Sequence, residues 1–469
     1  MKYSILSLLS LLKAFSIEKA IHKVLIINTF TFYIYCFTFC GCLSLLSCKE
    51  NKPQKASLSD VEYLHNAQKK LTDIIVTDIF TPPVASRVYA YPLLAAYEAG
   101  KFGEQNAKSI TEKLKGFEKM PVPEAGKDYD FTVAAIKALC ATAPKVIFSV
   151  KDMESFEQQT LNDLKSRSTE EVFNRSMAFG QSVADAMIKR INADNYKETR
   201  GMERFEVKNT IPGRWVPTPP DYADGVEPNW AKMKSMAMDS ASECRAATAA
   251  PFSTDKKSAF WKETVEVYDI SKHLSDEQQN IVIFWDDNPF VSKHKGHLMF
   301  QDKKMTPGGH WLAICQSFLK DKKVSFNESL KAYALTSLAL HEAFISCWDE
   351  KYRSLRVRPE TVISALIEKE WHPYLVTPPF PSYTSGHSTI SAAAAEVLTH
   401  LFGDNQAYTD ATEKEYGLPV RTFTSFRQAA LEASSSRIFA GIHFRSDCEK
   451  GNEQGKKVGQ LVLKVTLTQ

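Results

Sequence analysis

The 469-residue chain is 44% hydrophobic and 24% charged, the composition of an ordinary folded protein. That excludes a disordered chain, a collagen-like fibre and a small disulfide scaffold. The net charge of +3 is too small for a general nucleic-acid binder, and Lys2, Lys13, Lys19 and Lys23 against Glu18 account for all of it within residues 1–47. Any cationic site beyond residue 48 is therefore a local arrangement.

From Val24 to Ser47 there is no charged residue, and Lys19, His22 and Lys23 lie just before it. A basic stretch followed by an apolar one predicts an export signal. It ends in Leu45-Leu46-Ser47-Cys48, then turns polar. A small residue before cysteine after a leucine-rich run resembles a bacterial lipoprotein cleavage box, with Cys48 as the lipidated residue. The expectation is an exported lipoprotein of the periplasm or outer membrane, held to the membrane by its lipid. An uncleaved anchor is the alternative, since about 20 apolar residues span a bilayer. Residues 1–20 are unlike a signal, which leaves open a start further downstream. The expected organisation is a signal over 1–48 and one domain over 49–469, its motifs in about 326–469. Beyond the signal, Cys140, Cys244, Cys315, Cys347 and Cys448 are too far apart for a Cys-x-x-Cys metal pattern. Buried free thiols are expected, and no disulfide pairing can be read.

Apolar residues recur at three- and four-residue spacing over 59–82, 86–101, 131–142, 150–166 and 169–194, which predicts amphipathic helices. Residues 196–255 break the pattern with Pro212, Pro217, Pro219, Pro220 and Pro228, and read as a long ordered loop over the helices. Helical spacing returns at 256–271, 276–286, 308–320 and 326–357, then at 388–402 (closed by Gly403), 421–440 and 451–468. Strand alternation is scarce. The fold expected is all-α, a large helical bundle.

Three short elements carry the chemistry. In the first, Lys351 and Arg358 are seven apart, and on one helix both would project from one face. Pro359 is expected to end that helix, leaving two cations together. Such a pair alone is more often a solvated face. In the second, Ser385-Gly386-His387 runs into the helix 388–402. The serine hydroxyl and free amides near Gly386 can hold an anion at the positive end of the helix dipole, with His387 beside it as a proton donor or acceptor. An ordinary serine cap with a surface histidine is the plainer alternative. In the third, Ser436-Arg437 precedes His443, and Asp447 lies four residues beyond. On a helix Asp447 would orient the His443 imidazole, the arrangement of a histidine nucleophile or metal ligand. Arg437 and His443 are out of phase on a straight helix, so the chain must break between them for both to face one site, and Gly441 is the place expected.

Together these supply three cations, a Ser-Gly helix cap and two histidines, a site for a tetrahedral oxyanion. In order and spacing they resemble the type-2 phosphatidic acid phosphatase and vanadium haloperoxidase superfamily, whose pattern is Lys-x6-Arg-Pro, then Pro-Ser-Gly-His, then Ser-Arg-x5-His-x3-Asp. The stretch 341–352 and the proline-rich elements at 217–230 look like the longer bacterial haloperoxidase-like members, so the resemblance extends over most of 55–469. It implies a bundle of the vanadium chloroperoxidase and acid phosphatase type. It implies that Lys351, Arg358, Ser385, Gly386 and Arg437 bind phosphate or vanadate oxygens. His443 would be the axial vanadium ligand or the phosphatase nucleophile, supported by Asp447, and His387 the general acid–base. The one departure is Thr384, where the family has proline; threonine does not lock φ, so a looser loop is expected.

The same pocket serves two chemistries: a haloperoxidase that uses vanadate, peroxide and halide, or a phosphatase that needs no cofactor and passes through a phosphohistidine. Phe380, seven before His387, stands where chloroperoxidase-like members carry phenylalanine, as if lining a halide pocket. The chain is also longer than a minimal acid phosphatase. Both features lean toward the haloperoxidase, with small-molecule substrates and no nucleic acid. Bundles of this superfamily often pair as homodimers, which the resemblance carries over as an expectation. His341-Glu342 begins a zinc-protease His-Glu-x-x-His, but position 345 is Ile. His294 and His297 read as exposed, and His310, His372 and His400 have no evident partners.

Overall fold

Short polar residues fix where most helices start. The computed structural model describes residues 58–207, 211–287 and 304–467, together with Pro289 and the backbone of 292–295 and 298–301. Ser59 opens α1 (Asp60–Asp78) with a capping box to Glu62, and Thr81 precedes the Pro-Pro start of α2 (Pro82–Gly100). Asp130 accepts two amides of α3 (Phe131–Thr142). Ser149 leads into α4 (Val150–Leu164), and Thr169 caps α5 (Glu170–Asn192). The short α6 (Tyr196–Arg200) enters the irregular segment expected over 196–255, and α7 (Ala259–Lys272) and α8 (Asp276–Phe284) follow it. A β1–β2 hairpin (Ser292–Lys295, Leu298–Gln301) leads to α9 (Pro307–Asp321). Then come α10 (Phe326–Ser354), α11 (Pro359–Leu366) and α12 (Gly386–Phe402). A second antiparallel pair, β3 (Tyr408–Asp410) and β4 (Arg421–Phe423), precedes α13 (Phe426–Phe439) and α14 (Arg445–Leu467).

The all-α reading holds, and four details differ from expectation. The helix expected over 326–357 ends at Ser354, because Leu355 takes a left-handed φ of 49° and its N–H closes on Lys351. Pro359 starts α11 rather than ending α10: its fixed φ and missing N–H suit the first helical position. The last helix begins at Arg445 rather than 451, and residues 421–423 form a strand. The signal, Cys48 and the side chains of His294 and His297 lie outside the described residues. Among those described, all five cysteines are buried and free, and no helix is long and apolar enough to cross a membrane.

The long, almost wholly buried α10 is the central post. Helix α2 packs on one side of it, with α3 and α5 beyond, while α12 and α14 pack on the other. The α12–α14 contact is close because Gly451, Gly455 and Gly459, four apart, form one bare stripe on α14. A Cβ at Gly455 would lie 1.9 Å from the Thr389 carbonyl oxygen, and one at Gly459 2.9 Å from that of Ala393. This approach fixes the start of α14 against the start of α12, where the functional side chains converge. Gly455→Ala should destabilise the protein by about 3 kcal/mol, at the upper end for overpacking because the obstacle is backbone. Urea unfolding measures it.

Acid should destabilise the bundle. His341 is buried beside Trp230, and burial pulls its pKa from 6.5 to about 3; burial likewise pulls His65 to about 4. The unfolded chain protonates both near pH 6.5, while the folded chain holds them neutral. Between that value and about pH 3 the unfolded state binds more protons, so stability falls as pH falls through this window. Unfolding midpoints at pH 7 and pH 5 should show the loss.

Candidate active site

The site forms where the end of α10, the loop 378–385, the start of α12 and the 437–447 corner meet. Ser385 caps α12, accepting the Ser388 N–H at 3.3 Å, so its own proton is left to donate. Gly386 opens the helix, and a Cβ there would meet only Trp348, at 3.7 Å. Packing alone does not demand glycine; its absence of side chain leaves the backbone open to the cavity. Helix α13 ends at Phe439, and Gly441 turns the chain with a φ of 77°, a left-handed value glycine takes without strain. The break expected between Arg437 and His443 is therefore real, and both side chains line one cavity.

His443 is not on a helix. It precedes α14, and Asp447 reaches back to it from that helix's first turn. The Asp447 carboxylate accepts the Phe444 N–H at 3.0 Å, capping α14, and the same oxygen lies 3.1 Å from His443 Nδ1. The pairing is thus made by a helix start rather than one helical turn. Ser382 Oγ donates to this oxygen at 2.5 Å, and Arg356 Nη1 donates to the other at 2.6 Å. Burial opposes the Asp447 charge, but Arg356 and His443 hold its carboxyl far below the usual range. An ionised acceptor at Nδ1 fixes the proton there, so Nε2 carries the lone pair. Arg358 Nη1 donates to that Nε2 at 3.1 Å. Burial and Arg358 hold the His443 pKa well below its ordinary value, so the ring is neutral.

The cations differ in what they already hold. Arg358, fully buried, donates to the backbone oxygens of Phe380 and Ile442 at 2.9 and 2.7 Å. Burial pulls its pKa down to about 10, and it keeps its charge. Arg437 bonds the Trp285 carbonyl at 2.6 Å and lines the cavity. Lys351 Nζ spends its three protons on the Pro381, Ser382 and Thr384 oxygens, at 3.0, 3.1 and 2.5 Å. Burial pulls it to about 7. It braces the loop, and an oxyanion contact requires it to release one carbonyl. Thr384 is likewise fixed: its Oγ1 donates to Gln454 at 2.6 Å. Hydrogen bonds thus hold Thr384 where the family has a locked φ.

Phe380, Gly386, His387, Arg437 and His443 line the cavity, with Trp348 and Ile442 as apolar wall, while Lys351, Arg358, Ser385 and Asp447 lie buried around it. Its free volume is about 40 Å³. The Phe380 ring lies 4.9 Å from Lys351 Nζ and 5.0 Å from the Arg358 guanidinium carbon. His387 turns Nε2 toward Asp287 Oδ2, at 3.6 Å. Burial and Arg437 pull His387 to about 4, so it is neutral at pH 7. Arg356, Ser382 and Asp287 escaped the sequence reading. Arg356 stands two residues before the motif arginine, and nothing local marks it as the partner of Asp447.

Buried positive charge exceeds buried negative charge around one histidine lone pair, which fits a bound oxyanion such as vanadate or phosphate. Residues 365–469 match the family described as the VCPO second helical-bundle domain. No curated protein matches the chain. Among solved structures, a bacterial vanadium-dependent iodoperoxidase, described as the first of its kind, is 42% identical with a TM-score of 0.81, covering 87% of this chain and 96% of that one. A bacterial vanadium-dependent chloroperoxidase in its holo form is 16% identical with a TM-score of 0.63, covering 88% and 96%. Its apo form is 17% identical, with a TM-score of 0.61 and coverage of 82% and 94%. These two share the fold.

Proposed function

The chain belongs to the vanadium-dependent haloperoxidases, and from that premise we propose that it oxidises iodide with hydrogen peroxide at a vanadate anchored on His443. The observation that carries this is the His443 tautomer: Asp447 holds the proton on Nδ1, so Nε2 presents a lone pair among buried cations. When bound, vanadate supplies the Lewis acid that activates peroxide for attack by halide.

The protein's own groups do the rest. Arg358 and Arg437 neutralise the oxyanion, and the Ser385 hydroxyl and Gly386 N–H donate to it from the positive end of α12. Lys351 keeps the 381–384 carbonyls in place and adds charge behind them. His387, neutral, takes a proton from incoming peroxide and returns it to the departing oxygen. Phe380 and Trp348 keep that wall dry. Iodide, the halide that loses its water most readily, suits an apolar wall best.

On its apolar side the cavity is lined by Phe380, Trp348 and Ile442, which offer little to orient an organic molecule. The oxidised halogen then leaves and reacts outside. Vanadate-loaded protein should oxidise iodide faster than bromide, and bromide faster than chloride. Its rate should be the same with a small phenol as with a bulky organic reporter. A rate that saturates with the organic reporter, or a preference for chloride, contradicts this reading. The expected lipid anchor at Cys48, export and pairing as a homodimer belong to the same proposal. Release of palmitate-labelled protein from membranes by Cys48→Ala tests the anchor.

A further inference from the structure

Behind His387 lies a second histidine that the chemistry above does not use. His310, in the first turn of α9, is fully buried under the Trp285 indole, whose ring centroid is 4.7 Å away and nearly parallel. Its Nδ1 is 2.9 Å from Asp287 Oδ1, and its Nε2 is 3.2 Å from Asp410 Oδ2 on β3. A neutral imidazole has one N–H, so it would turn a lone pair on one of these carboxylates. Donating to both requires the imidazolium. Asp410 is itself fixed, because its other oxygen accepts the Thr412 N–H and hydroxyl at 2.9 and 2.7 Å.

The far oxygen of Asp287 is the one that faces His387 Nε2, a buried atom with no hydrogen bond of its own. The other charged groups packed here are accounted for. Asp286 pairs with Lys304 at 2.6 Å, and Arg437 faces the cavity. Glu413, 3.8 Å from His310 Nδ1, is pushed up by burial, toward its neutral form. One imidazolium between two carboxylates is thus the fixed charge pattern behind the acid–base histidine.

We propose that His310 is a positioning residue for the peroxidase reaction: clamped as an imidazolium between Asp287 and Asp410, it locks the carboxylate that aims His387. This rests on the haloperoxidase reading, so the test has one arm that does not. In ¹⁵N-histidine-labelled protein without vanadate, His310 should show two protonated nitrogens from pH 6 to pH 9. A single-protonated ring in that range overturns the clamp, whatever the enzyme does. In the second arm, His310→Gln keeps a donor and loses the charge. Its kcat for iodide oxidation should fall about 10- to 100-fold, the usual cost of removing a partner of an active-site histidine. Its vanadate affinity and KM for iodide should stay within twofold, and the pH optimum should move. Asp410→Asn, which leaves the ring in place, should show the same pattern more weakly if His310→Gln does not fold. Unchanged kcat in a folded variant overturns the proposal. So does one equivalent of a divalent metal in purified wild-type protein that is lost in His310→Gln, since that metal would hold Asp287 in place of the proton pair.

Discussion

His443→Ala is expected to abolish the proposed vanadate-dependent iodide oxidation, by roughly 10³-fold or more, and to leave the protein folded. The activity loss follows from geometry: Nε2 of His443, which accepts from Arg358 in this structure, is the lone pair that a central atom would take over, and losing a bond worth several kcal/mol costs at least that factor. The fold survives because the histidine lines the cavity. Asp447 keeps Arg356, Ser382 and the Phe444 N–H, and Arg358 keeps the Phe380 and Ile442 carbonyls. Vanadate titration, iodide turnover and a melting curve on one preparation check it. Full turnover in the variant would remove His443 from the mechanism.

Asp447→Ala should do more harm to stability than any other change at the site. It strips a buried carboxylate that four groups use. Arg356 retains Glu263, 2.7 Å away, but His443 Nδ1, the Ser382 hydroxyl and the Phe444 amide lose their acceptor. Breaking such a buried pair costs about 3–5 kcal/mol. Asp447→Asn separates this from catalysis. Arg356 would hold the amide oxygen on its side, turning the NH₂ toward His443 Nδ1. That ring then accepts at Nδ1 and carries its proton on Nε2, where it cannot bind a metal. The asparagine variant should retain most of the fold yet lose at least about 100-fold in turnover. Urea unfolding against kcat shows whether the two effects part. Equal losses in both would mean Asp447 acts only through stability.

The long amphipathic helices were legible because a single buried face repeats over many turns, as in 169–194 against the observed Glu170–Asn192. Gly441 was legible because two side chains six apart could meet only across a break. What escaped was set by neighbours distant in sequence. Eight-residue α11 is too short for its pattern to stand out, and the turn at Leu355 is a left-handed backbone that no local residue announces. The side-chain partners of His310 among the described residues are distant in sequence: Asp287 is 23 away and Asp410 is 100 away. Arg356 meets Asp447 across 91 residues. The motif residues that converge on the cavity could be picked out together because a site for an oxyanion needs cations, a helix start and an oriented imidazole, and each leaves a short local trace. Their detailed geometry did not, as the three carbonyls on Lys351 show.

The central claim is that this pocket uses vanadate as a catalyst rather than meeting it as a mimic of phosphate. The most direct test strips a chain trimmed to residues 49–469 with chelator and phosphate-free buffer, then titrates orthovanadate while following peroxide-dependent triiodide formation and phosphomonoester hydrolysis together. No iodide oxidation is expected at zero vanadate, then a linear rise to a plateau at one vanadate per chain, and competition by phosphate. Hydrolysis by the stripped protein that falls as vanadate is added, with no triiodide at any ratio, would contradict it.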